Sequence, residues 1–371
     1  MRIGLITIYQ VPNYGSVLQA YASQKVLESI GFDCDIINYK YPNKWHWNNG
    51  VKRTNRLKAI VRSFIPSKKE KVLSQFRNRY YHFTKRFSSL EDLQKAEWNK
   101  YCAFVVGSDQ VWNYKFTKGD SVFLLSFVPK QIPRFSLSSS FAVKTLSVSL
   151  REKYRKYLSQ FSVLSVREEN GIHIIRQELK IENQPVHLIL DPTLLLSKED
   201  WLQAIPRSGY KKQRSYILFY MWDYAFNPKP YIFELTKYFQ QRMNCEVIAL
   251  EGFRNTAITN GLEMKNCSSS SIPEFIDLFA NADLVITSSF HGTAFALNFG
   301  VPLLSIVPND EGDDRQSTLI RQLGVNNCRV NIGDDFESLS PQYDMNKEQE
   351  VLNSLRTNNI DIISQWQKYL S

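Results

Sequence analysis

Proton and anion chemistry in this chain gathers at a few turns. The first lies in Leu284–Pro302, LVITSSFHGTAFALNFGVP. Its apolar start, Leu284–Thr287, suits a buried parallel strand. Ser288 and Ser289 follow, and either can cap a helix that opens at His291-Gly292 and closes at Gly300, before Pro302. A helix start carries unpaired N–H groups and the positive end of the dipole, which suit an anion. Gly292 leaves room for a ligand to approach the backbone. His291 adds a group that gains or loses a proton near neutral pH; its bland alternative is a satisfied structural histidine.

The other turns offer complementary groups. Arg167 leaves the apolar run Ser162–Val166 and precedes Glu168. Its guanidinium suits a bidentate contact to phosphate or carboxylate, or an ion pair with Glu168 or another acid. Asp109 ends Gly107-Ser108-Asp109 after the run Cys102–Val106, placed to cap a helix or to orient a ligand hydroxyl. Asn13 and Gly15 lie in the turn Gln10–Gly15, which joins a strand to a helix and can also wall a cleft. Arg315 opens a helix after the acidic loop Asn309–Asp314. That loop lacks EF-hand spacing, and no metal site is expected.

Such turns meet only if strands end side by side. Arg2–Tyr9 reads as a strand, Ser16–Ile30 as a helix and Cys34–Tyr39 as a strand, a βαβ opening. Strands at 102–106, 134–140, 162–166 and 187–190 continue it, with a helix at 147–157. The pattern restarts with strands at 215–221, 246–250, 284–287 and 303–307, among helices at 230–243, 271–281 and 315–323. The expected fold class is α/β, with two Rossmann-like doubly wound domains facing a cleft. Residues 1–192 form the first and residues 193–345 the second, which carries His291. Residues 346–371 form a C-terminal helix able to pack back on the first domain. Open α/β sheets bind ligands in the crevice beyond the strands' carboxyl ends, where all the turns above lie. No G-x-G-x-x-G follows the first strand, which argues against a nicotinamide or flavin dinucleotide. No P-loop, HExxH or G-x-S-x-G is present.

Composition bounds the setting. The chain has 371 residues and a formal charge of +10. The excess belongs to Val51–Arg86, which holds twelve Lys/Arg and one acid, Glu70. This insert interleaves Leu57, Ile60, Val61, Phe64 and Ile65 with its cations. It reads as a solvated helical face or as a basic amphipathic surface for an anionic membrane. No nucleic-acid motif accompanies it, so no nucleic-acid partner is expected. Five scattered cysteines without a CxxC fit a reducing compartment. The N-terminus reads as a first strand rather than a signal peptide. The expected location is cytoplasmic, with peripheral contact at the inner face of the plasma membrane.

The stretches GLITIYQVPNYGSVLQAYASQKVLESIGF, VVGSDQVWN, LSVREENG, LILDPTLLL and SSFHGTAFALNFGVP occur in this order. Together they resemble the polysaccharide pyruvyl transferase family, from about residue 2 to residue 325. The resemblance implies a GT-B-like fold and transfer of the three-carbon unit of phosphoenolpyruvate to a sugar, usually as a cyclic ketal on two hydroxyls. Phosphoenolpyruvate is then a donor substrate, and no cofactor is implied. His291 matches the family's catalytic histidine and Arg167 its donor-binding arginine. Arg315 stands where members carry a basic residue. Ser289 departs from members that have arginine there. The expected mechanism uses His291 as general acid, with Glu168 or Asp109 as base. The expected acceptor is a nucleotide-linked or lipid-linked sugar of a surface polysaccharide such as a capsule. Two rivals share the fold or the cleft: a GT-B glycosyltransferase using a nucleotide sugar, and a non-catalytic glycan-binding protein.

Overall fold

The computed structural model describes residues 1–40, 67–223, 225–251, 261–309 and 313–370. In the first sheet, β1 (Arg2–Ile6) runs parallel to β2 (Asp33–Tyr39) and β4 (Ala103–Val106), with Ile3 opposite both Cys34 and Ala103. β3 (Phe83–Phe87) and β5 (Arg134–Ser136) complete the order β3-β2-β1-β4-β5. Bridges Phe135–Val163 and Ser139–Val166 carry the layer on to the parallel pair β6 (Leu164–Val166) and β7 (Val186–Leu188). The second sheet takes β8 (Tyr216–Tyr220), β9 (Glu246–Ala249), β10 (Lys265–Asn266), β11 (Leu284–Thr287), β12 (Leu303–Val307) and β13 (Arg329–Asn331). Its order is β10-β9-β8-β11-β12-β13, all parallel. The central strands AFVV, YILFY and LVIT are buried along their whole length, as strands covered by helices on both faces must be.

The strand order reverses between β1 and β4 in one sheet and between β8 and β11 in the other. Chains leaving adjacent strands toward opposite faces open a crevice there. The longer helices are α1 (Tyr14–Ser29), α2 (Lys68–Tyr80), α3 (Val148–Leu158), α4 (Tyr231–Met243), α5 (Ile272–Ala280), α6 (Phe290–Phe299), α7 (Arg315–Gln322) and α8 (Met345–Ser364). All ten residues of α6 are buried, so its small residues are what let it lie deep between its neighbours.

Three boundaries differ from the sequence reading. α1 begins after Asn13 rather than at Ser16, because the Asn13 side chain caps it by accepting from the N–H groups of Gly15 (2.8 Å) and Ser16 (3.3 Å). Gly15 therefore belongs to the first helical turn and not to the loop. β5 stops at Ser136, since Ser138 adopts a left-handed conformation (φ 56°) that ends a strand. Residues 67–86 of the basic insert form α2 and the edge strand β3, and residues 51–66, the membrane-contact expectation's centre, lie outside the described residues. Arg77 of α2 is buried, paired with Glu70, and donates to the Tyr9 carbonyl at 3.3 Å. Residues 310–312 of the acidic loop also lie outside. Among the described residues no helix is long and apolar enough to cross a membrane.

The chain passes from β7 to β8 through short helices Pro192–Leu195 and Lys198–Ala204. α8 and the turn after it reach back to the first sheet. Asn359 accepts from the Leu190 N–H at 2.8 Å, and Trp366 stacks on Phe135 with centroids 4.6 Å apart.

Candidate active site

The two switch points face one another. From the first come the loop after β1, which holds Asn13, and the loop after β4, which holds Asp109. From the second come Trp222, beyond β8, and Ser288–His291, beyond β11. They enclose a cleft of about 960 Å³, counting its open mouth. Asn13, Ser16, Asp109, Ser289, Phe290, His291 and Arg315 all line it.

His291 stands in the first turn of α6, where Ser289 caps the helix by accepting from the Gly292 N–H at 3.3 Å. Its ring rests on α1: a Cβ placed on Gly15 would fall 2.2 Å from His291 Nδ1. Gly15 is thus the seat of the histidine. The imidazole Nε2 is buried without a hydrogen-bond partner and lies 3.8 Å from Asp191 Oδ2. Burial pushes the imidazole pKa down, helped by Arg167 and Arg315 and opposed by Asp191 and Asp109. These surroundings favour the neutral ring.

Asp191 was not singled out by sequence reasoning, yet it is the hub of the site. Its carboxylate accepts from Arg167 Nη1 (2.5 Å), Ser108 Oγ (2.7 Å), and the hydroxyl (2.7 Å) and N–H (3.0 Å) of Thr193. Burial alone would raise its pKa; Arg167, His291 and these donors overcome that and hold it at about 2. Asp109 is cleft-facing, in a left-handed backbone conformation (φ 70°). It accepts from Ser16 Oγ at 2.6 Å and meets Arg167 Nη2 at 3.4 Å. Burial opposes its charge, but Arg167, His291 and Ser16 lower its pKa below the usual carboxylate range.

Arg167 lies behind the cleft wall. Its side chain is fully buried, tied to Asp191, Ser108 and Asp109, and its guanidinium sits 4.2 Å from the Phe290 ring centroid. Glu168 is buried beside it. One carboxylate oxygen accepts from the Phe141 N–H (2.7 Å) and Ala142 N–H (3.3 Å); the other has no partner. Burial, with Asp314, pushes its pKa up to about 7 against the pull of Arg167 and Arg315. Arg315 does reach the cleft, and its guanidinium pairs side-on with Asp313 through Nε (2.7 Å) and Nη2.

Two predicted contacts have other work. The Ser288 hydroxyl is used on the backbone of Trp222, donating to its carbonyl (2.7 Å) and accepting from its N–H (2.9 Å). Gly292 has a packing reason of its own: a Cβ there would fall 2.2 Å from Thr287 Oγ1 and 3.1 Å from the Tyr220 ring. Phe290 and Trp222, which line the cleft, were not anticipated. Aromatic residues at strand ends read as core unless the facing wall is known.

Two Rossmann-like domains with switch points facing across one cleft define the GT-B class of fold. Solved structures agree. A putative UDP-N-acetylglucosamine 2-epimerase from Listeria monocytogenes is 12% identical over 98% of this chain and 90% of that one, with a TM-score of 0.55. The S. aureus MnaA–UDP structure is 12% identical over 96% of both chains, with a TM-score of 0.53. An E. coli trehalose-6-phosphate structure bound with UDP-2-fluoro glucose is 9% identical over 100% of this chain and 99% of that one, with a TM-score of 0.56. At such identities the likeness is one of fold. No curated protein matches in sequence. Residues 13–310 match the family model of polysaccharide pyruvyl transferase, and the chain belongs to that family.

Proposed function

We propose that this protein transfers the pyruvyl unit of phosphoenolpyruvate to a sugar of a surface-polysaccharide precursor, forming a ketal, with His291 as general acid. The observation that carries the reading is the unpartnered Nε2 of His291, buried at the cleft between Asp191 and Asp109 with Arg315 in the same wall. To act as the acid the imidazole must become imidazolium, protonated on both nitrogens, so that Nε2 carries a proton it can give up. The donor supplies the reason for charging: its phosphate and carboxylate bring several negative charges beside the ring, and an opposite charge within about 4–6 Å raises a histidine's pKa. Binding thus arms the acid.

In the chemistry proposed, a sugar hydroxyl adds to C2 of phosphoenolpyruvate while His291 protonates C3, turning methylene into methyl. Asp109 accepts the hydroxyl proton. The C2–O bond to phosphate then breaks, phosphate leaves with the electron pair, and a second hydroxyl closes the ketal, its proton passing to the phosphate. Arg315 and the α6 N-terminus hold the anionic groups. Arg167 acts through Asp191 and Asp109, which it orients. General acid help of this kind contributes roughly 10²–10⁴-fold.

Calorimetry tests the reading. Titration with phosphoenolpyruvate in two buffers of different ionisation heat should show binding with proton uptake, and His291→Gln should bind without it. Binding of a uridine diphosphate in place of phosphoenolpyruvate would instead favour the nucleotide-sugar glycosyltransferase, a rival kept in view by the UDP ligands of two solved neighbours. Saccharide binding with no phosphate release would favour a non-catalytic glycan-binding role.

A further inference from the structure

One wall of the cleft has no use for the donor. Ile8, Val11, Pro12 and Phe116 line it from the first domain and Trp222 from the second. A small ester charged at both ends gains little from these carbons. A pyranose ring does gain, because its C–H faces are apolar while its rim is hydroxylated. Resting on the pyruvyl-transfer reading above, we propose that Trp222 is the platform on which the acceptor's sugar ring stacks.

The platform is built into the catalytic turn. A single hydroxyl, Ser288 Oγ, holds both the N–H and the carbonyl of Trp222. Ser288 is three residues before His291, so the indole and the imidazole share one rigid mount. A second brace comes from the other domain. Lys69, in the first turn of α2 within the basic insert, places its ammonium 5.4 Å from the Trp222 ring centroid and 4.5 Å from that of Tyr14. Glu251 fixes the ammonium at 2.5 Å, and the lysine side chain is only 12% exposed. Tyr14 in turn donates to the Ser270 carbonyl at 2.8 Å across the domain boundary, next to the Gly15 seat of His291. Trp222 is thereby held in place, half-buried, with part of its surface lining the cleft. The neighbouring Asp223 is exposed and also lines the cleft; its Oδ2 pairs with Lys229 at 2.5 Å, and its carboxylate still offers acceptor positions to the hydroxyls of a stacked ring. The brace also gives the start of α2 a role: it carries a lysine from one domain to steady an aromatic wall in the other.

Saturation-transfer NMR on the full chain tests this, with methyl β-glucopyranoside, methyl β-galactopyranoside, methyl α-mannopyranoside and UDP as probes. Ring C–H protons of at least one glycoside should saturate. Binding should weaken about tenfold in Trp222→Ala, fall less in Trp222→Phe, and weaken in Ser288→Ala. The thermal shift with phosphoenolpyruvate should persist in all three variants, which also shows that they fold. Glycoside saturation indifferent to Trp222→Ala overturns the proposal, as does the absence of saturation from every glycoside. Loss confined to the uracil protons of UDP overturns it too, since the indole would then be a nucleobase platform. Failure of phosphoenolpyruvate to shift wild type would count against the donor assignment alone; Trp222-dependent glycoside signals would still stand.

Discussion

Arg167 directly follows β6 and Arg315 opens α7, so both arginines start at the rim of one crevice. Arg167 turns inward. It is fully buried, with Asp191, Ser108 and Asp109 around its head and Phe290 between it and the cleft. Arg315 stays in the wall, its side chain 5% exposed, and its guanidinium pairs with Asp313. The difference teaches that a guanidinium's role follows from its acids. One that neutralises two buried carboxylates from behind the wall is part of the frame; one that lines the cleft is placed to meet a substrate anion.

The largest effect expected is therefore on folding. Arg167→Ala leaves Asp191 and Asp109 uncompensated, and breaking a buried pair from one side costs about 3–5 kcal/mol. Chemical denaturation reads this directly. A variant that unfolds at the wild-type midpoint yet fails to bind phosphoenolpyruvate would make Arg167 a donor contact and erase the contrast.

Next comes a contrast between glycines. Gly15→Ala pushes a methyl into the His291 ring, 2.2 Å from Nδ1, at a helical position where alanine is otherwise favoured by roughly 0.5–1 kcal/mol. Turnover should fall about 10²-fold, as misplacing a catalytic group by an ångström does, on top of an overpacking loss of about 1–3 kcal/mol in stability. Gly292→Ala meets Thr287 and Tyr220 instead, and should lose about 1–3 kcal/mol of stability through overpacking. Wild-type turnover in Gly15→Ala would mean that the position of His291 is not critical.

The strand ends were legible because short apolar runs broken by Gly, Ser and Asn mark them whatever lies nearby. The meeting of Asn13, Asp109, His291 and Arg315 follows from those ends together with the doubly wound order. Depth was not legible. Arg167 and Glu168 leave β6 at the crevice, yet which way their side chains turn depends on Asp191 and on the Phe141 and Ala142 N–H groups, all more than twenty residues away. Asp191 itself hides because it also caps the short helix Pro192–Leu195 by accepting from the Thr193 N–H, a role that looks complete in one dimension. β3 hides among lysines and arginines because an edge strand with exposed Lys85 and Arg86 has no apolar face to announce it. In Pro12-Asn13-Tyr14-Gly15, four residues suited to a turn concealed a helix cap.

Glu168 lies under the influence of both arginines and tests how their fields combine. Its folded pKa, about 7, is above the value of 4.5 for a free glutamate. The sign follows: the protonated form is favoured in the fold, so its contribution is complete below about pH 4.5 and is lost as pH rises through 7. The loss is on the order of 1–3 kcal/mol. Glu168→Gln keeps an oxygen for the Phe141 and Ala142 N–H groups and cannot ionise. Its stability, relative to wild type, should rise between about pH 5 and pH 8. A constant difference across that range would mean that Arg167 and Arg315 already hold Glu168 charged.

Arg315 carries the smallest expected change, and the one most specific to the donor. Its partner Asp313 has a side chain 15% exposed, so Arg315→Gln leaves a carboxylate that water can reach, and stability should shift far less than in Arg167→Ala. Under the proposed pyruvyl transfer, the donor then loses one charge-assisted contact, worth about 1.5–3 kcal/mol when intact, of which the ion pair with Asp313 already offsets a part. The KM for phosphoenolpyruvate should then rise about tenfold with kcat nearly unchanged, the pattern of a group that holds donor and transition state alike. Asp313→Asn should move the same KM downward, because it releases the guanidinium from its internal competitor. If both substitutions raise the KM, the Asp313–Arg315 pair acts as one positioned unit, and Arg315 belongs with Arg167 in the frame.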